Sequence, residues 1–226
     1  MKKIIFVVLS LSSLQLYSQD WNFEKPDYTE IKKNIAEQNS NLYYPSLMDR
    51  FTKADSTLTL KEKRHLYYGY SFQEDYSPYA HSGFADSLQI ILELKTHDTL
   101  EFKKIMTLGD SVLVKNPFEL KTINYQLYAL EKTDNIIGYR KKIAQFNIII
   151  DALLSSGNGT TKEESFYVIY TAHEYDLLNI LGFTFGGTQS LIEHYDYLKL
   201  AEGETKIEGL YFDVSPCLNS MTKIFK

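Results

Sequence analysis

Apolar residues recur every three to four positions along most of the chain between residues 27 and 182, which is the spacing of amphipathic helices. Helix-start signals precede several of these stretches. Asp27 is followed by Glu30, Pro45 suits a first helical turn, and Thr59 with Glu62 forms a capping box. The pattern predicts helices near residues 27–36, 44–51, 59–72, 88–94, 98–108, 118–130, 134–154, 171–182 and 216–225.

Clusters of Pro, Gly, Ser and Asn interrupt the helical pattern. The segment 73–83 predicts a loop that separates a small N-terminal helical unit from the helices that follow. Asn116 and Pro117 mark a joint between two helices, and the stretch 155–159 ends the last long one. Helices paired through such joints loosely resemble tetratricopeptide hairpins, but the sequence keeps no clean period of about 34 residues. We expect antiparallel helical hairpins, with a true repeat array as the alternative.

After residue 160 the chain changes to short segments rich in β-branched and aromatic residues. They predict strands over 166–170, 190–200 and 206–214. In the last segment Leu210, Phe212 and Val214 alternate with Tyr211 and Asp213, as in a strand with one buried face. The two later segments predict a hairpin. The fold class is therefore α+β and predominantly helical, with a small C-terminal antiparallel β-sheet.

Length and composition are those of a folded domain. The chain has 226 residues, of which 44% are hydrophobic and 23% charged, so a disordered or collagen-like chain is excluded. This length supports one sizeable core. We expect residues 20–226 to form a single domain in which a mainly helical part, 27–160, and a strand-helix-hairpin part, 161–226, share that core.

The first nineteen residues have the pattern of a secretory signal peptide. Lys2 and Lys3 precede an apolar stretch from Ile4 to Leu16, and small or polar residues follow it. The apolar stretch is shorter than the roughly 20 residues that span a bilayer as a helix. We expect cleavage and export to the periplasm, the cell surface or the medium, with a short uncleaved anchor as the alternative.

The net charge of the chain excludes some classes of partner, and its single cysteine excludes some covalent linkages. Cleavage would remove two lysines and no acid, which changes the formal net charge from −5 to −7. An acidic chain argues against nucleic acid and against an anionic membrane surface. Cys217 is the only cysteine, so no intrachain disulfide forms and no cysteine near the cleavage point accepts a lipid anchor. We expect no cofactor, and no stable membrane insertion after cleavage.

Tyrosine is unusually abundant, with 18 residues beside 13 Phe and one Trp. A tyrosine combines a large apolar ring with a hydroxyl, so it is favoured at interfaces, and exposed rings also stack on sugars. Core packing is the alternative for those at helical spacing. An early group and a late group are the candidate binding residues: Tyr67, Tyr68, Tyr70, Tyr76 and Tyr79, and Tyr195, Tyr197 and Tyr211.

Histidines and acids in the last third of the chain are the candidates for catalysis or metal binding. They are His173, Glu174, His194, Asp196 and Asp213. Two His and a carboxylate can bind zinc, and a His oriented by an Asp can act as a general base. The alternative is a purely structural role, in which His173 and Glu174 belong to a capping box that begins at Thr171 and His194 lies on a solvent-exposed strand face. No spacing matches a diagnostic metal motif.

A three-residue pattern of Asp, then Ser or Thr, then an aliphatic residue or Thr recurs at residues 55–57, 86–88, 98–100 and 110–112. It resembles an O-glycosylation acceptor of some exported proteins. Helix-start chemistry explains the same residues, because Asp, Ser and Thr all cap helices. The intact mass of the mature protein from its native host separates the two interpretations.

Several longer blocks resemble an uncharacterised family of secreted Bacteroidota proteins, classed as a domain of unknown function. The blocks are YYPxLMxRF at 43–51, LYYGYxFQ at 66–73, HEYDLLN at 173–179, YDYL at 195–198 and GLYFD at 209–213. The resemblance covers residues 27–218 and implies an exported protein with a single family domain. It implies no activity. We therefore expect a non-enzymatic protein that binds a protein or peptide through a Tyr-rich surface, with a hydrolase or metal-dependent enzyme and a glycan-binding module as alternatives.

Overall fold

The computed structural model describes residues 22–80, 82–203 and 206–224. The predicted signal peptide, 1–19, lies outside these residues. Within the described residues, nine helices and four strands follow one another in this order: α1 Tyr28–Ile35, α2 Tyr44–Thr52, α3 Leu60–Gly69, α4 Gly83–Leu92, α5 Thr99–Lys115, α6 Leu120–Lys132, α7 Ile136–Leu154, β1 Phe166–Tyr167, α8 Ala172–Ile180, β2 Phe185–Ile192, β3 Tyr195–Leu200, β4 Gly209–Asp213 and α9 Ser215–Ile224. The predicted class, a mostly helical α+β fold, is confirmed.

Capping chemistry sets the starts of the early helices as the sequence indicates. The Asp27 carboxylate accepts the N–H groups of Thr29 and Glu30 at 2.9 Å each, which satisfies free donors at the start of α1. At α3, Thr59 and Glu62 form the predicted capping box. The helix α4 begins at Gly83, earlier than predicted, because the Ser82 side chain caps it.

The helix α3 lies at the centre of the molecule. It packs against α1, α2 and α7, and a 3₁₀ turn at Tyr70–Phe72 continues it. Seven of its ten residues are buried, including polar Glu62, Arg64 and His65. The Arg64 guanidinium donates to Ser155 Oγ at 2.7 Å and to the Glu24 carbonyl at 2.6 Å. Because neighbours surround this helix, it has no broad solvent-facing side.

The helices α4 to α7 pack in chain order, each against the next, and α7 returns to α3. A small satellite core of Leu88, Ile105 and Ala129 joins α4, α5 and α6. The main core is one cluster that extends from Ile31 in α1 to Cys217 in α9. Buried residues of the helical part and of the sheet part therefore contact each other in a single core. Among the described residues, no helix combines the length and apolar character needed to cross a membrane.

The four strands form one mixed sheet in the order β1-β4-β3-β2. The predicted hairpin is present as β3 and β4, which run antiparallel with Tyr197 opposite Tyr211. The sheet is not purely antiparallel, because β1 runs parallel to β4 and pairs Phe166 with Phe212. The strand predicted over 166–170 pairs at only two residues; beyond them the Val168 N–H still donates to the Asp213 carbonyl at 3.0 Å.

The segment 190–200 is two strands rather than the single predicted one. A turn at Glu193 and His194 separates β2 from β3, and Glu193 has a positive φ of 62°. Turn positions with positive φ normally carry Gly or Asn, so the residue types at this position gave no turn signal. The β2 strand starts at Phe185, and a bulge at 186–188 places three residues opposite Lys199.

Cross-strand pairing assigns the two faces of the sheet. The inner face packs against the core and carries Leu198, Leu200, Leu210 and Phe212, all of them buried. The outer face carries Tyr195, Tyr197 and Tyr211, which are half-buried. The two faces explain why buried and half-buried side chains alternate along β4 from Leu210 to Phe212, as the sequence predicts.

Candidate functional site

Three of the five early tyrosines are core residues. Tyr67, Tyr68 and Tyr70 expose at most 5% of their surface. Their hydroxyls find partners inside the protein: that of Tyr68 donates to the Ala152 carbonyl at 3.0 Å, and that of Tyr70 to the Lys115 carbonyl at 3.4 Å. The prediction that they are binding residues is therefore corrected. Their rings pack among the helices around α3 and are not available to a partner.

The loop after α3 gives one exposed tyrosine. Tyr76 is half-buried, and its hydroxyl donates to the Ile169 carbonyl at 2.6 Å while its ring packs against Tyr70 and Tyr170. Tyr79 is 45% exposed. Of the early group, only Tyr79 presents a largely free ring.

His173 is buried and joins parts of the core through hydrogen bonds; it is not an exposed general base. Its Nε2 lies 2.9 Å from the Phe118 carbonyl, which can only accept, so Nε2 carries the proton. Its Nδ1 then accepts from the Tyr67 hydroxyl at 2.7 Å, and the Tyr67 oxygen accepts the Ile169 N–H at 3.2 Å. Burial lowers the pKa of His173 to about 4, so the ring is neutral at pH 7. Both nitrogens are occupied by this chain of bonds.

Glu174, the next residue, faces the inner side of the sheet. It does not cap α8, and the Thr171 side chain makes no capping bond, so the capping-box interpretation is wrong. Burial, followed by the nearby Asp196 carboxylate, raises the pKa of Glu174 to about 9. Among the described residues, both Glu174 carboxyl oxygens and Asp196 Oδ1 are buried without a hydrogen-bond partner, so ionising Glu174 would place an uncompensated charge there. The other Asp196 oxygen accepts from the Gln189 amide, whose oxygen accepts from Tyr175.

His194 and Asp213 form a separate pair at the β2–β3 turn end of the sheet. His194 Nε2 lies 3.4 Å from Asp213 Oδ2. Asp213 is buried and accepts the Ser215 N–H at 2.9 Å, whereas the His194 side chain is 44% exposed. The His194 ring lies against Tyr195 with centroids 4.1 Å apart. This geometry orients the imidazole.

The structure does not bring the five candidate catalytic residues together. They lie in three places: His173 beside Tyr67, Glu174 with Asp196, and His194 with Asp213. Among the described residues, no group of three or more His, Cys, Asp or Glu side chains is placed to hold a metal ion. Cys217 is buried, and burial raises the pKa of its thiol to about 12, so it is a thiol at neutral pH.

The late tyrosines lie side by side. Tyr195, Tyr197 and Tyr211 on the outer side of the sheet are called the tyrosine face below. The Tyr197 and Tyr211 rings are 4.8 Å apart between centroids. The Tyr197 ring also covers Gly209, where an added Cβ would come within 2.3 Å of Tyr197 Cζ. A glycine at this position therefore lets the ring lie flat on the sheet.

Exposed acids surround the tyrosine face. Glu163, Glu193 and Glu208 are exposed and are called the acidic rim below. Burial raises the pKa of Tyr195, and nearby carboxylates that include Glu163 and Glu193 raise it further. Burial also raises the pKa of Tyr197, and Tyr211 and Glu208 add to that effect. Cations are also present: Lys162 Nζ lies 5.5 Å from the Tyr195 ring centroid and 3.7 Å from Glu193, and the exposed Lys199 lies on the same face of β3, opposite Gly209. The three rim acids outnumber these two lysines, so the surface around the rings is acidic on balance.

Sequence reasoning missed the strand that borders this surface. The sequence pattern predicts this strand only from residue 190, although Phe185 already belongs to β2. A signal was present, because residues 183–192 contain no charged side chain in a chain that is 23% charged. Gln189, which donates to Asp196, and Tyr175, which donates to Gln189, carry no sequence signal, since their bonds depend on how α8 crosses the sheet.

Comparisons with known proteins give a family and no activity. No curated protein and no solved structure matches the chain. The family profile of DUF4919, a domain of unknown function, matches residues 29–223, which is most of the sequence. The chain therefore belongs to the DUF4919 family.

Proposed function

We propose that this protein is an exported, non-enzymatic binding protein that recognises a protein or peptide partner through the tyrosine face. The observation that supports the proposal is the placement of Tyr195, Tyr197 and Tyr211 as neighbours on an open sheet face. In the early group Tyr67, Tyr68 and Tyr70 are buried, whereas these three half-buried rings lie together on a surface that a partner can reach.

The chemistry of these rings suits recognition of a polypeptide. Tyrosine supplies a large, rigid contact area and a hydroxyl, and it is enriched among the residues that dominate binding energy at protein interfaces. The buried part of each of these tyrosine side chains packs against the sheet and holds the ring in place before binding. This reduces the conformational entropy that is lost on association. The acidic rim favours a partner with positive charge.

Export and source are part of this proposal. The Lys-Lys start and the apolar stretch that follows support a cleaved signal peptide, and the sequence blocks support an origin in the Bacteroidota. An exported protein would meet its partner in the periplasm, on the cell surface or in the medium. N-terminal sequencing of the protein recovered outside the cytoplasm tests export, and a chain that keeps Met1 and stays in the cytoplasm would contradict it.

A random peptide library displayed on phage tests the binding function. The mature chain selects peptides, and their affinities are then measured by fluorescence anisotropy for three proteins: wild type, a double variant Tyr197→Ser with Tyr211→Ser, and Tyr79→Ser. We expect the double variant to lose about tenfold or more in affinity, as for interface residues that cost over about 1.4 kcal/mol. Tyr79→Ser removes an exposed tyrosine elsewhere and should bind like wild type.

Two outcomes would reject the proposal. One is a selection that yields no peptide whose binding depends on Tyr197 and Tyr211. The other is a glycan array on which the same double variant loses a signal that wild type gives, because the tyrosine face would then be a sugar-stacking surface.

A further inference from the structure

The outer edge of β2 is open. In the order β1-β4-β3-β2 this strand is terminal, so within the described residues only one of its edges is paired. Every residue from Gly186 to Ile192 is exposed. An unpaired strand edge presents a row of backbone N–H and C=O groups with which an added strand can pair.

Of the features that normally protect an edge strand, β2 has only a bulge near its start. Natural edges are blunted by charged side chains, by proline or by bulges. Residues 183–192 contain no charge and no proline, and the bulge at 186–188 leaves 189–192 as an uninterrupted segment. Leu191 and Ile192 are 56% and 44% exposed and point to opposite faces. An added strand would find an apolar side chain on each side of the sheet.

The register identifies which backbone groups are free. Ile192 and Tyr195 flank a two-residue turn, so this pair closes the hairpin with hydrogen bonds. Bonded and non-bonded pairs alternate along an antiparallel ladder. Ser190 is therefore bonded to Tyr197, and the N–H and C=O groups of Gln189 and Leu191 point to the open edge.

Charge around the β2–β3 hairpin favours a basic partner. The exposed Glu193 lies at its turn and the exposed Glu202 follows β3 at the opposite end, and these two acids outnumber the exposed Lys199 on the outer face of β3. Ser190, a small residue, lies between the open edge and Tyr197 on the outer face. Long basic side chains of an added strand, about 10 Å or two strand spacings from β3, can extend over Ser190 to the Tyr197 ring.

We propose that the partner segment binds in an extended conformation as a fifth strand on β2, and that it alternates apolar residues with Lys or Arg. This inference rests on the proposed function, because it specifies how a polypeptide approaches the tyrosine face. The added backbone pairs with Gln189 and Leu191. Its apolar side chains pack on Leu191 on the inner side of the sheet, and its cations lie on the outer side near the acidic rim.

A second copy of this chain fits the edge less well. The uninterrupted edge is only four residues long, 189–192. A stable homodimer normally buries about 800 Å² on each partner from some 20–30 residues. The chain also carries a net charge of −5, so two copies repel each other, whereas a basic peptide is attracted.

Synthetic peptides and matched variants test the proposal. The probe is a blocked peptide of about ten residues in which Val and Thr alternate and Lys occupies both ends and one central Thr position; the control peptide has Glu in place of each Lys. Leu191→Pro removes one outward N–H from the edge, a position where proline is compatible with an edge strand. Leu191→Ala is the matched control, because it removes the side chain and keeps the N–H. Urea denaturation checks that both variants fold.

We expect the Lys peptide to bind wild type at least tenfold more tightly than the Glu peptide. Leu191→Pro should weaken binding by at least tenfold, and Leu191→Ala by less than about threefold. Amide resonances of residues 189–192 should shift in nuclear magnetic resonance spectra on binding. If Leu191→Pro does not fold, N-methylation of alternate peptide residues removes the same bonds from the ligand side and should weaken binding equally.

The outcomes separate the two proposals. Library-selected peptides that need Tyr197 and Tyr211 but bind Leu191→Pro like wild type would overturn the fifth strand and leave the proposed function in place. Lys-peptide binding that needs the edge but not the tyrosines would support the fifth strand and overturn the role of the tyrosine face. A wild-type dimer that becomes a monomer in Leu191→Pro, measured by sedimentation, would make a second copy the occupant. No binding of the Lys peptide to wild type would overturn the fifth strand.

Discussion

The early and late tyrosines use the same side chain for opposite purposes. Tyr67, Tyr68 and Tyr70 are buried in and just after α3, whereas Tyr195, Tyr197 and Tyr211 remain partly exposed on the sheet. The difference comes from the number of neighbours that each element has. α3 is covered by three helices, whereas the outer face of the sheet is buried at Tyr167 and Asp213 but only partly covered at the three late tyrosines. Abundance of tyrosine therefore does not identify a binding surface; the side of the element that stays uncovered does.

The largest expected effect is on the free energy of unfolding, and it should differ between one early and one late tyrosine. Tyr68→Ala removes a fully buried ring that packs against Tyr28 and Tyr67, so it should lower the free energy of unfolding by about 3–5 kcal/mol, as other buried aromatic-to-alanine changes do. Tyr211→Ala removes a partly exposed ring and should cost about 1 kcal/mol or less. Urea denaturation of both variants measures the contrast. Equal losses would mean that the tyrosine face is structural rather than a binding surface.

Sequence patterns predicted the fold class, the capping of α1 and α3, and the β3–β4 hairpin, because these depend on local spacing and on residue types with strong preferences. They did not predict which tyrosines are buried. Tyr67 and Tyr68 are adjacent in α3 and point in different directions, yet both are buried because separate neighbours cover both sides of the helix. The turn at Glu193 was missed because a glutamate with positive φ has no sequence signal. The open edge of β2 depends on strand order, which only tertiary structure fixes.

The helix α8 connects the two regions, and two adjacent residues on it should give opposite responses to pH. His173 faces the early tyrosines and has its pKa lowered to about 4 from 6.5. The unfolded chain therefore binds more protons between these values, and stability falls as pH drops through this range. Glu174 faces the sheet and has its pKa raised to about 9 from 4.5. Here the folded chain binds more protons, so stability is lost as pH rises through that range.

The Glu174 effect can be isolated between pH 7.5 and 8.5. Asp176 has its pKa raised to about 7, mainly by burial, so below pH 7 it adds a slope of the same sign. The groups near Glu174 are Asp196 on β3, Tyr175 on the same helix, Tyr79 in the loop after α3, and Cys217 on α9. In this window wild type should lose stability at up to about 1.4 kcal/mol per pH unit. Glu174→Gln keeps the shape, does not titrate, and should give a nearly flat profile.

Urea denaturation at four or five pH values measures this slope. Glu163→Gln is the matched control, because that glutamate is exposed and its loss should leave the slope unchanged. A Glu174→Gln profile as steep as that of wild type would show that Glu174 is already ionised in the folded protein. The boundary between the packed interior and the sheet would then hold a charged pair instead of a protonated one.

The smallest expected effect on stability, at Gly209, is the sharpest test of the tyrosine face. An added Cβ at this position would lie 2.3 Å from Tyr197 Cζ, so Gly209→Ala should displace the Tyr197 ring from the sheet. The ring is partly exposed and can rotate outward, and the loss in free energy of unfolding should therefore be about 1 kcal/mol or less. Gly203→Ala is the control, because its Cβ meets only a carbonyl oxygen at 3.8 Å.

Binding should respond more strongly than stability to this methyl group. A displaced Tyr197 ring loses its packing on Tyr211 and its fixed position, so affinity for peptides selected on the tyrosine face should fall about tenfold. Anisotropy titrations with wild type, Gly209→Ala and Gly203→Ala measure the change at equal folded fractions. A Gly209→Ala variant that binds as well as wild type would show that the ring position is irrelevant, and the early and late tyrosines would then differ in burial without differing in function.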